Sequence, residues 1–319
     1  MNKNLGLPDV EVIAVIGASG FVGKHLVAFL SARKNVEIRV LVHHRKLRAG
    51  DKPNIVFIEG NLLKPETLIP LFESGCTVIN LAYLATHRFQ DNIDAMVNLA
   101  EACAARKVKR LIHCSTAVVA GNIPEKVIVE TTLCSPASEY QRSKLAIETV
   151  LLARAQGRFE LSILRPSAVF GSEGKNLIKL ADELCAGNKL KSYAKSCLFG
   201  RRSMNLVCVE NVVAALIFLL DANSKIDREV FIISDDDASI NNYRDIEKRL
   251  IKNLEIEPFQ FPVVRLPMLL LATVLRMAKK PQSNPVVKYS DQKLTKLGFK
   301  KPMKLETGID AFSRWYKNK

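Results

Sequence analysis

The segment Gly17-Ala18-Ser19-Gly20-Phe21-Val22-Gly23 constrains this chain more than any other. It follows a near-continuous apolar run at residues 10–16, which a strand buried on both faces requires. It opens residues 21–33, where Val22, Leu26, Phe29 and Leu30 share one helical face. A chain that turns sharply here and offers bare backbone needs small residues. The unpaired N–H groups of the new helix, at the positive end of its dipole, then suit a pyrophosphate. A glycine loop placed directly between a buried strand and an amphipathic helix is a dinucleotide signal, and Gly23 lets that helix pack closely on the strand.

The alternation continues. Residues 36–42, 55–58, 78–82 and 111–114 read as strands, and 65–73 and 92–106 as helices. A helix at 140–155 and a strand at 160–164 add a sixth unit. Strands separated by helices imply right-handed parallel crossovers, so the fold class is α/β with a doubly wound parallel sheet of the Rossmann kind. Beyond Arg165-Pro166 the rhythm loosens, with helices expected at 177–186, 212–220, 243–252 and 268–277 and a strand at 230–233. The expected division is a dinucleotide-binding domain at 1–165 and a smaller substrate lobe at 166–319, some of whose elements return to the sheet.

Composition narrows the setting. The 319 residues carry 47 Lys and Arg against 32 Asp and Glu, a net charge of 47 − 32 = +15. Nine of those cations face the single acid Asp291 between residues 276 and 304, but no aromatic is interleaved before Tyr289. A solvated basic surface is therefore expected, and not a nucleic-acid partner. Seven cysteines form no Cys-x-x-Cys pair and no metal-ligand spacing, so reduced thiols, no metal and a cytoplasmic location are expected. The first residues lack the apolar core of a signal peptide. The longest greasy stretches, 212–220 and 266–275, are about half of the ~20 residues that a membrane span needs.

The end of the second strand bears on the cofactor. An NAD enzyme usually places a carboxylate there to hold the ribose hydroxyls. Here the strand ends His43-His44-Arg45, and Glu37 sits at its opposite end. A cationic cluster suits a 2′-phosphate, which favours NADP(H) over NAD(H).

Tyr140 and Lys144 stand at i and i+4 at the start of a helix, on one face and ~5–6 Å apart at Cβ. A phenol with an unperturbed pKa of ~10 is a poor base near neutrality, and an adjacent ammonium favours its ionised form. Such a tyrosine can exchange a proton with a substrate hydroxyl while a nicotinamide takes or gives hydride. Tyr289 and Lys293 repeat the spacing. Only Tyr140 follows, 24 residues on, the Ser115-Thr116 pair that ends a strand at the sheet's carboxyl edge; Tyr289 is expected at the surface. His113 and Cys114 are adjacent on a strand, so they point to opposite faces and read as packing.

With its Gly-x-x-Gly-x-x-Gly loop and Tyr-x-x-x-Lys pair, the chain resembles the extended short-chain dehydrogenase/reductase superfamily, whose nucleotide-sugar members form the epimerase/dehydratase family. The matches run from Val12 to Gly171, with weaker ones to Asn211. The resemblance implies that Gly17, Ser19, Gly20, Phe21, Val22 and Gly23 hold the diphosphate. It implies that His43, His44 and Arg45 meet the adenosine end. Asn61-Leu62 matches the family's Asp-Leu contact to adenine, with Asn61 replacing the usual Asp. Leu81, Ala82 and Tyr83 follow the strand that passes beneath ribose and nicotinamide, and Pro166, Ala168 and Val169 match the segment bordering the nicotinamide amide. It implies a catalytic set of Tyr140 and Lys144, with Thr116 orienting the substrate oxygen, Ser115 as its substitute, and Asn92 supporting the lysine's proton path. A homodimer through a four-helix contact is the assembly that the resemblance implies.

The substrate is less legible. In nucleotide-sugar members a second-lobe arginine grips the diphosphate; here Met204 takes the closest register, with Arg201 and Arg202 just upstream. Those arginines and the net charge favour an anionic small molecule, most directly a nucleotide-activated sugar. Ala117-Val118 replaces the Asp-Glu of sugar dehydratases, which disfavours dehydration. Val209-Glu210-Asn211 resembles the hydroxysteroid-dehydrogenase-like branch, and the apolar helix near Leu266 could line a greasy pocket, touch a membrane surface peripherally or fill core. Three functions stay open: an epimerase of a nucleotide sugar, an NADP-dependent reductase or dehydrogenase of an apolar carbonyl, and a non-catalytic dinucleotide sensor.

Overall fold

The computed structural model describes residues 10–43, 52–223, 226–264, 267–277 and 284–319. The chain begins β1 (Glu11–Ile16), α1 (Phe21–Leu30), β2 (Val36–Val42), β3 (Ile55–Glu59), β4 (Thr77–Asn80), α2 (Phe89–Ala105) and β5 (Arg110–Cys114). There follow β6 (Val127–Ile128), α3 (Glu139–Ala155), β7 (Glu160–Pro166), β8 (Ala168–Phe170), α4 (Lys175–Cys185) and α5 (Lys189–Phe199). The remainder is β9 (Leu206–Cys208), α6 (Val209–Leu220), β10 (Glu229–Ile233), α7 (Tyr243–Asn253), α8 (Met268–Met277), β11 (Lys288–Tyr289), α9 (Gln292–Lys296) and α10 (Leu305–Lys317). The helix expected at 65–73 is instead a 3-10 helix, Pro65–Leu71, because Pro70 removes an amide that a continuing α-helix would need.

One compact unit comprises residues 1–115, 143–164 and 216–230, the other 116–142, 165–215 and 231–319. The main sheet has seven strands in the order β10-β7-β5-β4-β1-β2-β3, and the registers from β3 to β7 are all parallel. Strand order reverses between β1 and β4, and Ile16 lies opposite Asn80 across that pair. The loops after β1 and β4 therefore start at one level, which is where doubly wound sheets open a crevice. Beneath it, Ala14, Val78, Leu99, Ile147, Leu161 and their neighbours form a continuous core.

Arg110 closes the lower end of β5. Only 4% exposed, it pairs with Glu160 at 2.7 Å and donates to the carbonyls of Leu219 and Leu220 at the end of α6. Those carbonyls have no partner within their own helix, so the guanidinium satisfies groups that burial would otherwise penalise.

In the second unit β8 pairs with β9, and Phe170, Leu177, Ala181, Leu250, Ile309 and Phe312 fill a core under α4, α7 and α10. The α10 helix was not anticipated, although Leu305, Ile309 and Phe312 mark its buried face at helical spacing. The expectation that Tyr289 lies at the surface is corrected: it is 5% exposed and packs with Ile128 and Val287. Strand alternation explains the error, since β11 pairs with β6 and turns Lys288 outward and Tyr289 inward. On α8, Leu271 and Leu275 are buried and Met277 exposed, while Leu266 lies outside the described residues. No helix among the described residues is long and apolar enough to cross a membrane.

A buried polar knot ties this unit together. The Asp236 carboxylate accepts from Asn205 at 2.7 Å, Asn241 at 2.9 Å and the Tyr289 N–H at 2.7 Å. The neighbouring Asp235 carboxylate accepts from the Cys208 N–H and from Asn211, both at 2.9 Å.

Two outcomes are expected. Arg110→Ala should lower stability by about 3 kcal/mol in urea unfolding, because it leaves two helix-end carbonyls and one carboxylate without their partner; a loss under about 1 kcal/mol would show that the contact is ornamental. Burial pushes the Asp236 carboxyl up to about 6, against the hydrogen bonds that pull it down. The folded chain therefore holds this proton where the unfolded chain, near ~3.9, has released it. Relative to Asp236→Asn, the wild type should gain stability as pH falls from 7 to 4, and a stability difference that stays flat across that range would refute the assignment.

Candidate active site

The loop after β1 is shaped by what cannot fit in it. Gly17 has φ +83°, and a Cβ there would meet the Ala82 nitrogen and Leu81 carbonyl carbon at 2.9 Å. A Cβ on Gly23 would stand 2.3 Å from the Gly17 oxygen. The backbones of α1, the loop and the end of β4 thus touch directly. Gly20 caps α1 with extended backbone and no side chain, and there is no acid in the first turn. The first turn thus holds no carboxylate to compete for its N–H groups, which suits an anion.

A crevice of about 430 Å³ opens over this loop, and all its lining residues belong to the first unit. It gathers Gly17, Ser19, Gly20, His43, Asn61, Leu62, Leu81, Ala82 and Tyr83, all expected from the sequence. It adds Leu84 and His87, which sequence reasoning missed. The Asn92 side chain explains their position: it accepts from the Leu84 N–H and donates to the carbonyls of Leu84 and Arg88, pinning residues 84–88 as a bracket. No carboxylate lines the crevice among the described residues. Glu37 is occupied by Arg39 at 2.6 Å, and His43 pairs with Asn61 at 3.1 Å. His44 and Arg45 lie outside the described residues. Phe21, Val22 and Gly23 form the first turn of α1.

A capping box starts α3. Ser138 Oγ accepts from the Gln141 N–H, and Gln141 Oε1 accepts from the Ser138 N–H. Tyr140 sits in this first turn and is 42% exposed. One turn on, Lys144 is 3% exposed, and its ammonium donates to the Cys114 carbonyl at 3.0 Å. It also stands 5.5 Å from the Tyr83 ring centre. Burial pulls this ammonium below the usual lysine range, while Cys114 and Glu148 pull the other way.

Around that contact several buried polar atoms lack partners: Ser115 Oγ, Ser143 Oγ and His113 Nε2. Burial, with the nearby Lys144 charge, pulls the His113 imidazole well below its usual range, and its Nδ1 faces the Asn80 amide at 3.1 Å. Thr116, next after Ser115, caps the short turn Ala117–Ala120 by accepting from the Val118 N–H.

A profile of the NAD dependent epimerase/dehydratase family matches residues 13–234. The chain belongs to this family. Sterol-4-alpha-carboxylate 3-dehydrogenase, decarboxylating, of Bos taurus is 26% identical over 222 residues, covering 65% of this chain and 59% of that protein. UDP-glucose 4-epimerase of Streptococcus mutans is 29% identical over 156 residues, covering 44% of this chain and 46% of its own length. The chain therefore spans only part of the curated relatives that it matches. Among solved structures, dTDP-glucose 4,6-dehydratase of Bacillus anthracis in complex with NAD aligns over 97% of both chains, with TM-score 0.73 and 19% identity. UDP-glucuronic acid 4-epimerase of Bacillus cereus in complex with NAD aligns over 96% of this chain and 97% of its own, with TM-score 0.72 and 20% identity. At such identity these structures share the family's fold.

The remaining expected site residues of this family member lie in the second unit. Pro166 ends β7, and Ala168 and Val169 lie in β8, where Asn176 donates to the Val169 carbonyl. The Arg202 guanidinium lies 5.6 Å from the Phe199 ring centre, and burial lowers its pKa. Arg201 is exposed and lines a polar cavity of about 310 Å³ with Lys288, Asn241, Asn242 and Asp245.

The glycine contacts make a direct prediction. Gly17→Ala should cost about 1–3 kcal/mol of stability through its left-handed backbone and the clash with β4, and should weaken binding of either nicotinamide dinucleotide at least ~10-fold. Calorimetric titration with unchanged affinity would show that the loop is not a ligand cradle.

Proposed function

We propose that this chain transfers hydride at a secondary alcohol or ketone, as an NAD(P)-dependent epimerase or oxidoreductase acting on a nucleotide-activated sugar. The observation that carries this reading is the α3 pair: an accessible phenol one turn before a buried ammonium that is anchored on the carbonyl ending β5. The glycine cradle and the crevice fit a dinucleotide in size and chemistry, and a bound nicotinamide would supply or accept the hydride. Lys144 stabilises negative charge developing on the Tyr140 oxygen, and Tyr140 exchanges the proton of the substrate hydroxyl. Thr116 orients that hydroxyl by hydrogen bonding, with the unpartnered Ser115 hydroxyl as its substitute. Asn92, already holding the 84–88 bracket, supports the proton path of Lys144. Pro166, Ala168 and Val169 border the nicotinamide amide.

For the cofactor, NADP(H) is preferred to NAD(H): the carboxyl end of β2 offers His43 and a basic continuation in the sequence, and among the described residues no carboxylate lines the crevice to hold a 2′-hydroxyl. The solved relatives were crystallised with NAD, so the preference rests on this chain's own residues. Arg201 and Lys288 make no ion pair among the described residues and supply cations for an anionic substrate at their shared cavity. Residues 1–165 then serve the cofactor and 166–319 mainly the substrate, in a cytoplasmic homodimer. A second reading, an NADP-dependent dehydrogenase of an apolar alcohol, is favoured by the sterol dehydrogenase match, which covers more of the chain than the UDP-glucose 4-epimerase match does.

Incubation with UDP- and GDP-sugars or with small carbonyls, in the presence of NAD(H) or NADP(H), separates the readings by absorbance and product NMR. Sugar isomerisation without net redox supports the epimerase; net oxidation of NADPH by a supplied carbonyl, the reverse of alcohol oxidation, supports the reductase or dehydrogenase. Tyr140→Phe should lower kcat by about 10²–10⁴ while cofactor affinity stays within about twofold. Undiminished turnover would remove Tyr140 from the mechanism.

A further inference from the structure

A second cavity, of about 420 Å³, has described walls that all belong to the second unit and a row of cations along one side. It lies against α5, α7 and the segment 256–263. The Tyr193 hydroxyl donates to the Pro262 carbonyl at 3.0 Å and the Tyr193 ring meets Phe259 edge-on, which holds that segment against α5. Ile251, Ile256, Phe259 and Val263 supply apolar wall, and Phe261, 70% exposed, stands where the cavity meets solvent.

The cationic side is α7. Arg244, Lys248 and Lys252 line the cavity at i, i+4 and i+8, so they share one helical face. Like charges at that spacing repel, and acids close by relieve the repulsion. Other cations of this region have such acids: Arg249 on the same helix pairs with Asp310 at 2.6 Å, Lys195 on α5 with Glu183 at 2.6 Å, and Lys189 with Glu257. The three that line the cavity have no ion pair among the described residues. The Arg244 Nε–H is also buried without an acceptor.

Glu247, the one acid lining the cavity among the described residues, does not answer these charges. It is 1% exposed, and its carboxyl is hydrogen-bonded by Ser196 and by the Tyr243 phenol. Burial pushes that carboxyl above its ordinary range, toward the neutral acid. The anion that the cationic side lacks is therefore not supplied from within the cavity.

We infer that this cavity binds an amphiphilic carboxylate of the fatty-acid kind, with its head group along Arg244, Lys248 and Lys252 and its alkyl chain against Ile251, Ile256 and Phe259. A carboxylate accepts several hydrogen bonds at once, so one head group answers the Arg244 Nε–H and an ammonium together. A neutral alcohol would leave the cations unbalanced, and an alkylammonium would add a fourth like charge. A short anion such as acetate has no chain to bury against the apolar wall. The volume suits a medium-length chain.

The site shares no described lining residue with the crevice over the glycine loop, so the inference does not rest on the proposed reaction. The test titrates the full chain calorimetrically with decanoate, 1-decanol, decylammonium and acetate, the amphiphiles below their micelle concentrations. Saturable binding of decanoate is expected, with the other three at least ~10-fold weaker. Lys248 and Lys252 are exposed, so the double variant Lys248→Glu, Lys252→Glu should fold, keep or raise the thermal midpoint, and weaken decanoate ~10-fold or more. Val263→Trp should block the chain's place while leaving the cations intact. Saturating NADPH should leave decanoate affinity unchanged. No saturable binding, equal affinity for decanoate and either 1-decanol or acetate, or wild-type affinity in the folded variants would overturn the inference. Displacement of decanoate by NADPH would overturn it by assigning the carboxylate to the crevice. Binding to anionic phospholipid vesicles without binding of monomeric decanoate would overturn it by giving this face to a membrane surface.

Discussion

Backbone meeting backbone at Gly17 is the contact on which the first unit's function depends. With a Cβ at that position the loop would be driven off the end of β4, and with one at Gly23 the helix would be driven off the loop. Either displacement would part α1 from the sheet edge where β1 and β4 diverge, and the crevice exists only because that edge stays open and level. At the loop itself the crevice wall is consequently made of peptide groups, whose dipoles are fixed by the fold, as a bound anion would require. Side chains line the rest of the crevice, among them His43, Asn61, Leu62, Tyr83 and the 84–88 bracket that Asn92 holds.

A second constraint acts on α3. The helix must present an accessible phenol and a buried ammonium one turn apart, which means that it enters the protein at a steep gradient of burial. The Ser138–Gln141 capping box fixes where the helix begins, and the carbonyl of Cys114 fixes how deep Lys144 goes. A charge held at such depth by one carbonyl is only partly compensated, as the downward pull of burial on its pKa records. That residual cost fits the proposed role of Lys144 in the reaction better than a role in stability alone.

Much of this could be read from the sequence because it is local. The glycine spacing, the apolar run before it and the amphipathic helix after it lie within about 20 consecutive residues, and the Tyr140–Lys144 pair within a single helical turn. Strands β1 and β4 are legible as apolar runs because the doubly wound sheet buries them on both faces, whereas the edge strand β3 is half exposed. What escaped was non-local. Tyr289 was placed at the surface because its neighbours are basic, yet its burial is decided by β6, some 160 residues upstream, through the pairing of Tyr289 with Ile128. Residues 216–230 belong with the first unit and 116–142 with the second, an interleaving that no composition shift announces. Leu84 and His87 entered the crevice through the side chain of Asn92, a contact that spacing alone does not encode.

The buried polar groups divide into two kinds, and the division carries functional meaning. Asp235 and Asp236 are deeply buried, and side-chain amides and backbone N–H groups surround them, tying β9, β11 and the start of α6 together. Such a satisfied network specifies one arrangement of its unit, and its polar character is explained by what it holds. Ser115, Ser143 and His113, beside the Lys144 anchor, each keep one buried polar atom without a hydrogen-bond partner among the described residues. They gather at the end of β5, beside the Lys144 anchor, where the proposed reaction would bring a polar partner.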